Sequence, residues 1–195
     1  MSDHQTTTTE ARVEATRQRI LDAAVRCMRR WGIDKTNLND IAAEAGVTRP
    51  TLYAHFGNRE AIFHEAMLQS AYRFGQALVE HVQPFATPRE RVLEACLYCL
   101  EHLPSEPQLA LVSDQRAAAI VNEQALSTTE GRDICRSLFA VLLAGRDDLL
   151  DDVDEIAELS VRLLLSLLTM RGPRQRDAEQ LRGFLQRRLL PGIGL

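Results

Sequence analysis

The stretch from Leu38 to Phe56 restricts what this chain can fold into more than any other part of it. It reads Leu-Asn-Asp-Ile-Ala-Ala-Glu-Ala-Gly-Val-Thr-Arg-Pro-Thr-Leu-Tyr-Ala-His-Phe. Leu38, Ile41, Ala42 and Ala45 recur at i, i+3, i+4 and i+7, the apolar stripe of a short helix. The small Ala42 lets a following helix approach closely. Gly46 allows the positive φ of a tight turn, and Val47 plugs the angle between the two helices. Thr48 can cap the next helix, and Pro50 sits in its first turn, where a missing N–H is harmless. Leu52 and Phe56 then point into a core, while Thr48, Arg49, Thr51, Tyr53 and His55 carry groups that hydrogen-bond bases or phosphates. Two helices crossed over a glycine turn, with the second one polar on its outer side, form the helix-turn-helix pattern of a DNA reader.

The rest of the chain is compatible with such a reader and with few other classes. It has 195 residues, 45% of them hydrophobic and 26% charged, enough for one domain or two small ones with a buried core. Aromatic residues make up 5%, no long alternating apolar/polar run is present, and Leu, Ala, Arg and Glu dominate, so the expected class is all-α. The net charge of −4 argues against DNA binding by bulk charge. Residues 1–60 nevertheless hold nine basic and eight acidic residues, a net of +1, whereas residues 61–195 carry a net of −5. An acidic C-terminal body is repelled by DNA and helps orient the molecule. Lys35 is the only lysine beside 22 arginines, a usage that points to a GC-rich coding sequence.

The start, Met1 to Glu10, is rich in Ser and Thr and lacks the apolar segment of a signal peptide. The most apolar stretch, Val161 to Met170, is too short to span a bilayer and is interrupted by Arg162. The expected location is the cytoplasm, without membrane contact, and the four cysteines are expected as reduced thiols.

Along the chain, residues 1–11 are expected to be disordered. A first helix is expected from about Arg12 to Trp31, stopped by Gly32. Thr36 and Asn37 compete to cap the second helix. A fourth helix runs from Arg59 to about Val82, where Pro84 and Pro88 interrupt the chain. Helices follow over 89–103, 108–125 and 130–144. A helix from Val153 to Met170 is apolar almost all round, which requires cover from two directions. Asp152 and Glu155 have the spacing of a capping box before it. A last helix, capped by Asp177, ends near Leu190. The domain division expected is 12–58 for the helix-turn-helix head and 59–195 for a larger helical body.

The head also resembles a known family. Ile20-Leu-Asp-Ala-Ala, Trp31-Gly, Thr36, Ile41-Ala, Ala45-Gly-Val-Thr, Thr51-Leu-Tyr-Ala-His-Phe, Asn58-Arg-Glu and Phe63 together resemble the DNA-binding domain of the tetracycline-repressor (TetR) family over residues 17–67. The resemblance implies a homodimer on a palindromic operator, a small-molecule pocket in the body, and pairing of the last two helices with their mates in a four-helix bundle. It also implies that effector binding changes the separation of the two heads and releases DNA. Arg59 stands where many relatives have lysine and keeps the charge. No acidic-plus-His cluster stands out in the body, so the magnesium-chelated drug of the founding member is not supported; no metal or cofactor is expected.

The expected DNA-contacting set is Thr36, Asn37, Thr48, Arg49, Thr51, Tyr53, His55 and Arg59. The N-terminal end of a recognition helix enters the major groove, and there Arg49 can pair in bidentate fashion with guanine. By the resemblance, Tyr53 contacts phosphate; His55 serves either a phosphate or packing. Effector contacts are expected from Phe63, Met67, Phe74, Tyr98, Cys99, His102, Arg116 and Phe139, a set whose low polarity points to a hydrophobic or amphipathic ligand. Dimer contacts are expected from Ile156, Leu163, Leu164, Leu167, Leu181, Phe184 and Leu185.

Cys96-Leu-Tyr-Cys99 places two thiols one turn apart. Two small buried hydrophobes explain the pair, with a thiol-responsive regulator as the alternative. An all-helical enzyme is the remaining alternative. It is disfavoured because the chain has no Gly-rich phosphate loop, no HExxH and no GxSxG, and because His64 and Glu65 do not face each other on their helix.

Overall fold

The structure, a computed structural model, describes residues 3–106, 129–170 and 176–195. Among these residues there are eight α-helices, three short 3-10 turns and no strand. The helices are α1 (Asp3–Trp31), α2 (Leu38–Ala45), α3 (Arg49–Phe56), α4 (Arg59–Val82), α5 (Pro88–His102), α6 (Thr129–Leu142), α7 (Val153–Thr169) and α8 (Ala178–Arg188). The helix expected over 108–125 lies outside the described residues.

The chain divides into two compact units. The first takes the residues up to Tyr72 together with Glu106, and the second begins at Arg73. The division thus falls inside α4 rather than at residue 58, because α4 serves two cores: Ile62, Phe63 and Ala66 are buried in the first, Leu78 and Val82 in the second.

The first core is closed by Ile20, Leu21, Ala24 and Met28 of α1, Leu38, Ile41, Ala42 and Ala45 of α2, and Leu52 and Phe56 of α3. The apolar stripe of α2 is buried as its spacing requires. α1 begins at Asp3, further back than Arg12, since the Thr-rich start contains no Gly or Pro to stop a helix propagating backwards. Gly46 ends α2 at φ 65° and ψ 39°, a left-handed conformation natural to glycine, and its N–H bonds back to the last turn of α2. Arg19 donates to the Ala45 carbonyl at 2.9 Å, Arg26 pairs with Glu44 at 2.7 Å and Arg17 pairs with Glu65 while lying over the Phe56 ring. Glu106 accepts from Arg29 through both carboxylate oxygens at 2.8 Å and from Ser70 at 2.9 Å.

The second core gathers Val92, Leu93, Cys96 and Cys99 of α5, Phe139 and Leu142 of α6, Val153, Ile156 and Ala157 of α7, and Leu185 of α8 with Leu189, Leu190 and Ile193 beyond it. Thr87 and Glu90 form a capping box at α5, and Asp177 and Gln180 form another at α8. Asp152 makes no such bond: its φ of −98° and ψ of 10° keep the side chain from the first-turn N–H groups of α7, so the expected box with Glu155 does not form. Arg91 ties the α4–α5 linker to the end of α6. It donates to the carbonyls of Leu142 at 3.0 Å, Phe85 at 3.3 Å, Ala86 at 3.0 Å and Ala144.

Candidate DNA-reading face

The site grows from two helix starts. Asn37, not Thr36, caps α2: its side-chain oxygen accepts from the N–H of Asn39 at 2.9 Å and of Asp40 at 3.1 Å. Thr36 is only 1% exposed and its hydroxyl donates to the Gly32 carbonyl at 2.7 Å. That bond fixes the α1–α2 turn and takes the hydroxyl away from solvent, so the expected contact of Thr36 with DNA has no free side-chain group to make it. Lys35 beside it is exposed.

Thr48 caps α3, accepting from the Thr51 N–H at 3.4 Å, and the two hydroxyls are bonded to each other at 2.9 Å. Leu52 and Phe56 are buried, which turns the opposite side of α3 outward. Thr48, Arg49 and Pro50 are exposed there, Thr51 is half-buried, and Tyr53, one turn on, is 41% exposed. The Arg49 guanidinium lies over the Tyr53 ring, 5.6 Å from its centroid, and donates to the Tyr53 hydroxyl at 3.2 Å. His55 is half-buried, with its ring 6.4 Å from that of Phe56.

Arg59 is also half-buried. It lies 4.1 Å over the Phe63 ring and donates to the Thr36 carbonyl at 3.2 Å. A hollow of about 270 Å³ opens among Asn37, Leu38, Asn39, Arg49, Tyr53 and Arg59. Two guanidinium groups, a phenol and the start of α2 converge on it, a set that attracts an oxyanion. Asn39, in the first turn of the capped helix α2, lines the hollow too, although it is not in the expected DNA-contacting set.

The residues expected to touch an effector do not form one set. Phe63 and Met67 belong to the first core. Periodicity shows that such residues are buried, but not in which of two cores. Phe74, Tyr98 and His102 do come together in the second unit, with ring centroids 5.6 Å and 4.2 Å apart, and His81 joins Tyr98 at 4.8 Å. Cys99 and Phe139 are buried in that unit's core, and Arg116 lies outside the described residues. Burial holds the Cys96 thiol far above its ordinary range and pushes Cys99 up to about 12, so neither is a thiolate near neutral pH. This opposes thiol sensing through that pair. Of the expected dimer contacts, Ile156 and Leu185 are core residues of one chain, while Leu163, Leu164, Leu167, Leu181 and Phe184 are only partly covered.

Residues 20–66, which span α2, α3, the turn between them and parts of α1 and α4, match the model of bacterial regulatory proteins of the tetR family. An uncharacterised helix-turn-helix regulator of Mycobacterium tuberculosis is 31% identical over 169 residues, 85% of this chain and 81% of that protein. The chain belongs to the TetR family of transcriptional regulators. The helix-turn-helix transcriptional regulator AcrR of Shigella flexneri is 30% identical over 130 residues, 65% of this chain, and the match spans 60% of AcrR's own length. The fold is also that of AibR, solved with isovaleryl coenzyme A and operator DNA, at a TM-score of 0.54 and 20% identity, with 90% of this chain and 98% of that chain covered. As a TetR-family member the chain is a DNA-binding regulator, all-helical in its described residues, and none of its described helices is long and apolar enough to cross a membrane.

Proposed function

We propose that this regulator holds a palindromic operator as a homodimer in the cytoplasm, represses from it, and releases it when a small hydrophobic or amphipathic effector enters the second unit. The reading includes no catalytic step. The observation that carries it is α3, whose apolar side is locked into a core by Leu52 and Phe56 while Thr48, Arg49 and Tyr53 stand outward at its N-terminal end. On this reading Arg49 addresses a base edge, and Asn37, Asn39, Tyr53 and Arg59 hold phosphates around the hollow they line. Thr48, Thr51 and His55 flank these contacts.

Dimerisation is supported by α7, where Leu159 is 44% exposed and Leu163, Leu164, Leu165, Leu167 and Leu168 are half-covered. A helix this apolar needs a second covering surface. The effector reading is supported by the ring cluster of Phe74, His81, Tyr98 and His102, which combines apolar faces with a few polar atoms.

Selection from randomised duplex DNA tests the proposal. Enrichment of an inverted repeat, bound by two chains in a gel-shift titration and released by ligands found in a thermal-shift screen, is the expected result. Enrichment of a single unrepeated site, bound by one chain, would overturn it.

A further inference from the structure

The contact between Arg49 and Tyr53 joins two groups that the reading above assigns to different tasks, one to a base and the other to the backbone. An arginine at the first position of an exposed helix has four side-chain torsions to order before it can address a base edge, and that ordering opposes binding. Here part of it is already done. The guanidinium lies over the Tyr53 ring and spends one donor on the Tyr53 hydroxyl at 3.2 Å, one helical turn away. A guanidinium has five N–H groups in a planar fork, so one bond to the phenol leaves a free edge for two parallel bonds to guanine. The phenol oxygen accepts from Arg49 and keeps its own proton, which can be donated to a phosphate oxygen at the same time.

The geometry points to Tyr53 as a specificity-determining residue that acts through Arg49: it is a positioning residue for the base reader as well as a backbone contact. This rests on the reading in which Arg49 addresses a base. The neighbouring polar groups do not share the task. Thr48 and Thr51 are bonded to each other at 2.9 Å, and Arg59 is turned onto Phe63 and the Thr36 carbonyl. When a phosphate binds at the hollow, it meets the hydroxyl that restrains Arg49, so register on the backbone and choice of base are set by one hydrogen-bonded pair.

The test is a position-by-position binding profile. Full-length wild type, Arg49→Ala, Tyr53→Phe and Tyr53→Ala are titrated by gel shift against the selected operator and all its single-base variants. Matching circular-dichroism melts establish that each variant is folded. Arg49→Ala should flatten the preference at one base pair per half-site, by roughly tenfold or more. Tyr53→Phe keeps the ring and loses the hydroxyl, so it should weaken all sequences by a common factor and also cut the preference at that same base pair by about threefold. Tyr53→Ala, which loses the ring as well, should cut it further.

A Tyr53→Phe protein that binds every sequence more weakly by one common factor, with the preference at Arg49's base pair intact, would overturn the positioning role. That role would then fail alone. Should Arg49→Ala leave every base preference unchanged, the base-reading assignment itself fails, which is a separate result.

Discussion

The Arg59 guanidinium lies 4.1 Å over the ring of Phe63, so a charge expected to face DNA is tied to the core of the head. The same side chain donates to the Thr36 carbonyl at 3.2 Å. Cation–π stacking at a half-buried site and one charge-assisted hydrogen bond each contribute about 1 kcal/mol. Arg59→Ala should therefore lower the stability of the head by about 1–2 kcal/mol in urea unfolding, besides any effect on DNA binding. Arg59→Lys should recover only part of that, because an ammonium cannot stack flat.

Asn37 rather than Thr36 caps α2, and the two are separable by mutation. Asn37→Ala should cost about 1 kcal/mol, and Asn37→Asp should restore it, since a carboxylate accepts the same two N–H groups. An equal loss in the Ala and Asp variants, measured by thermal melts, would contradict the cap.

Arg91 joins four backbone carbonyls, two in the α4–α5 linker and two at or just beyond the end of α6. Arg91→Met keeps the apolar stem and removes every donor. The expected cost is about 2 kcal/mol or more, read from chemical denaturation, because several carbonyls lose their partner at once.

The buried thiols give a pH dependence with a definite sign. The folded-state value of Cys99 is raised from 9.0 to about 12 by burial, and Cys96 is raised further. A raised value stabilises the fold fully below the unfolded value and is lost as pH climbs from about 9 toward 12. Stability of the second unit should therefore fall across that alkaline window, and Cys99→Ala should reduce the fall. Near neutral pH, iodoacetamide should leave Cys96 and Cys99 unmodified until the protein is denatured, as mass spectrometry would show.

What was legible in the sequence was what local chemistry specifies. Leu38, Ile41, Ala42 and Ala45, the turn at Gly46, the cap at Thr48 and the break at Gly32 all stand where spacing and residue type put them. Less legible was any choice between neighbours or between cores. Thr36 and Asn37 have the same capping chemistry, and only the fold of the α1–α2 turn decides that Thr36 is swallowed by it. Phe63 and Met67 sit on α4 as Phe74 does, and periodicity cannot say that the helix passes from one core to another between them. Asp152 has capping-box spacing but the wrong backbone torsions. The partnership of Arg49 with Tyr53 was invisible for a related reason: i, i+4 spacing permits it, but solvent competes for both groups.

Lys35, exposed in the turn that Thr36 closes, is the only lysine in the chain. The basic anchors of the fold described above are all arginines, which amine-reactive reagents leave alone. Apart from the α-amino group, an acylating fluorophore thus has one address, next to the start of α2. The molecule carries a native single-site handle on its DNA-reading head, and a dye placed there would report occupancy of that head without an engineered cysteine or a change to the arginines that hold the fold together.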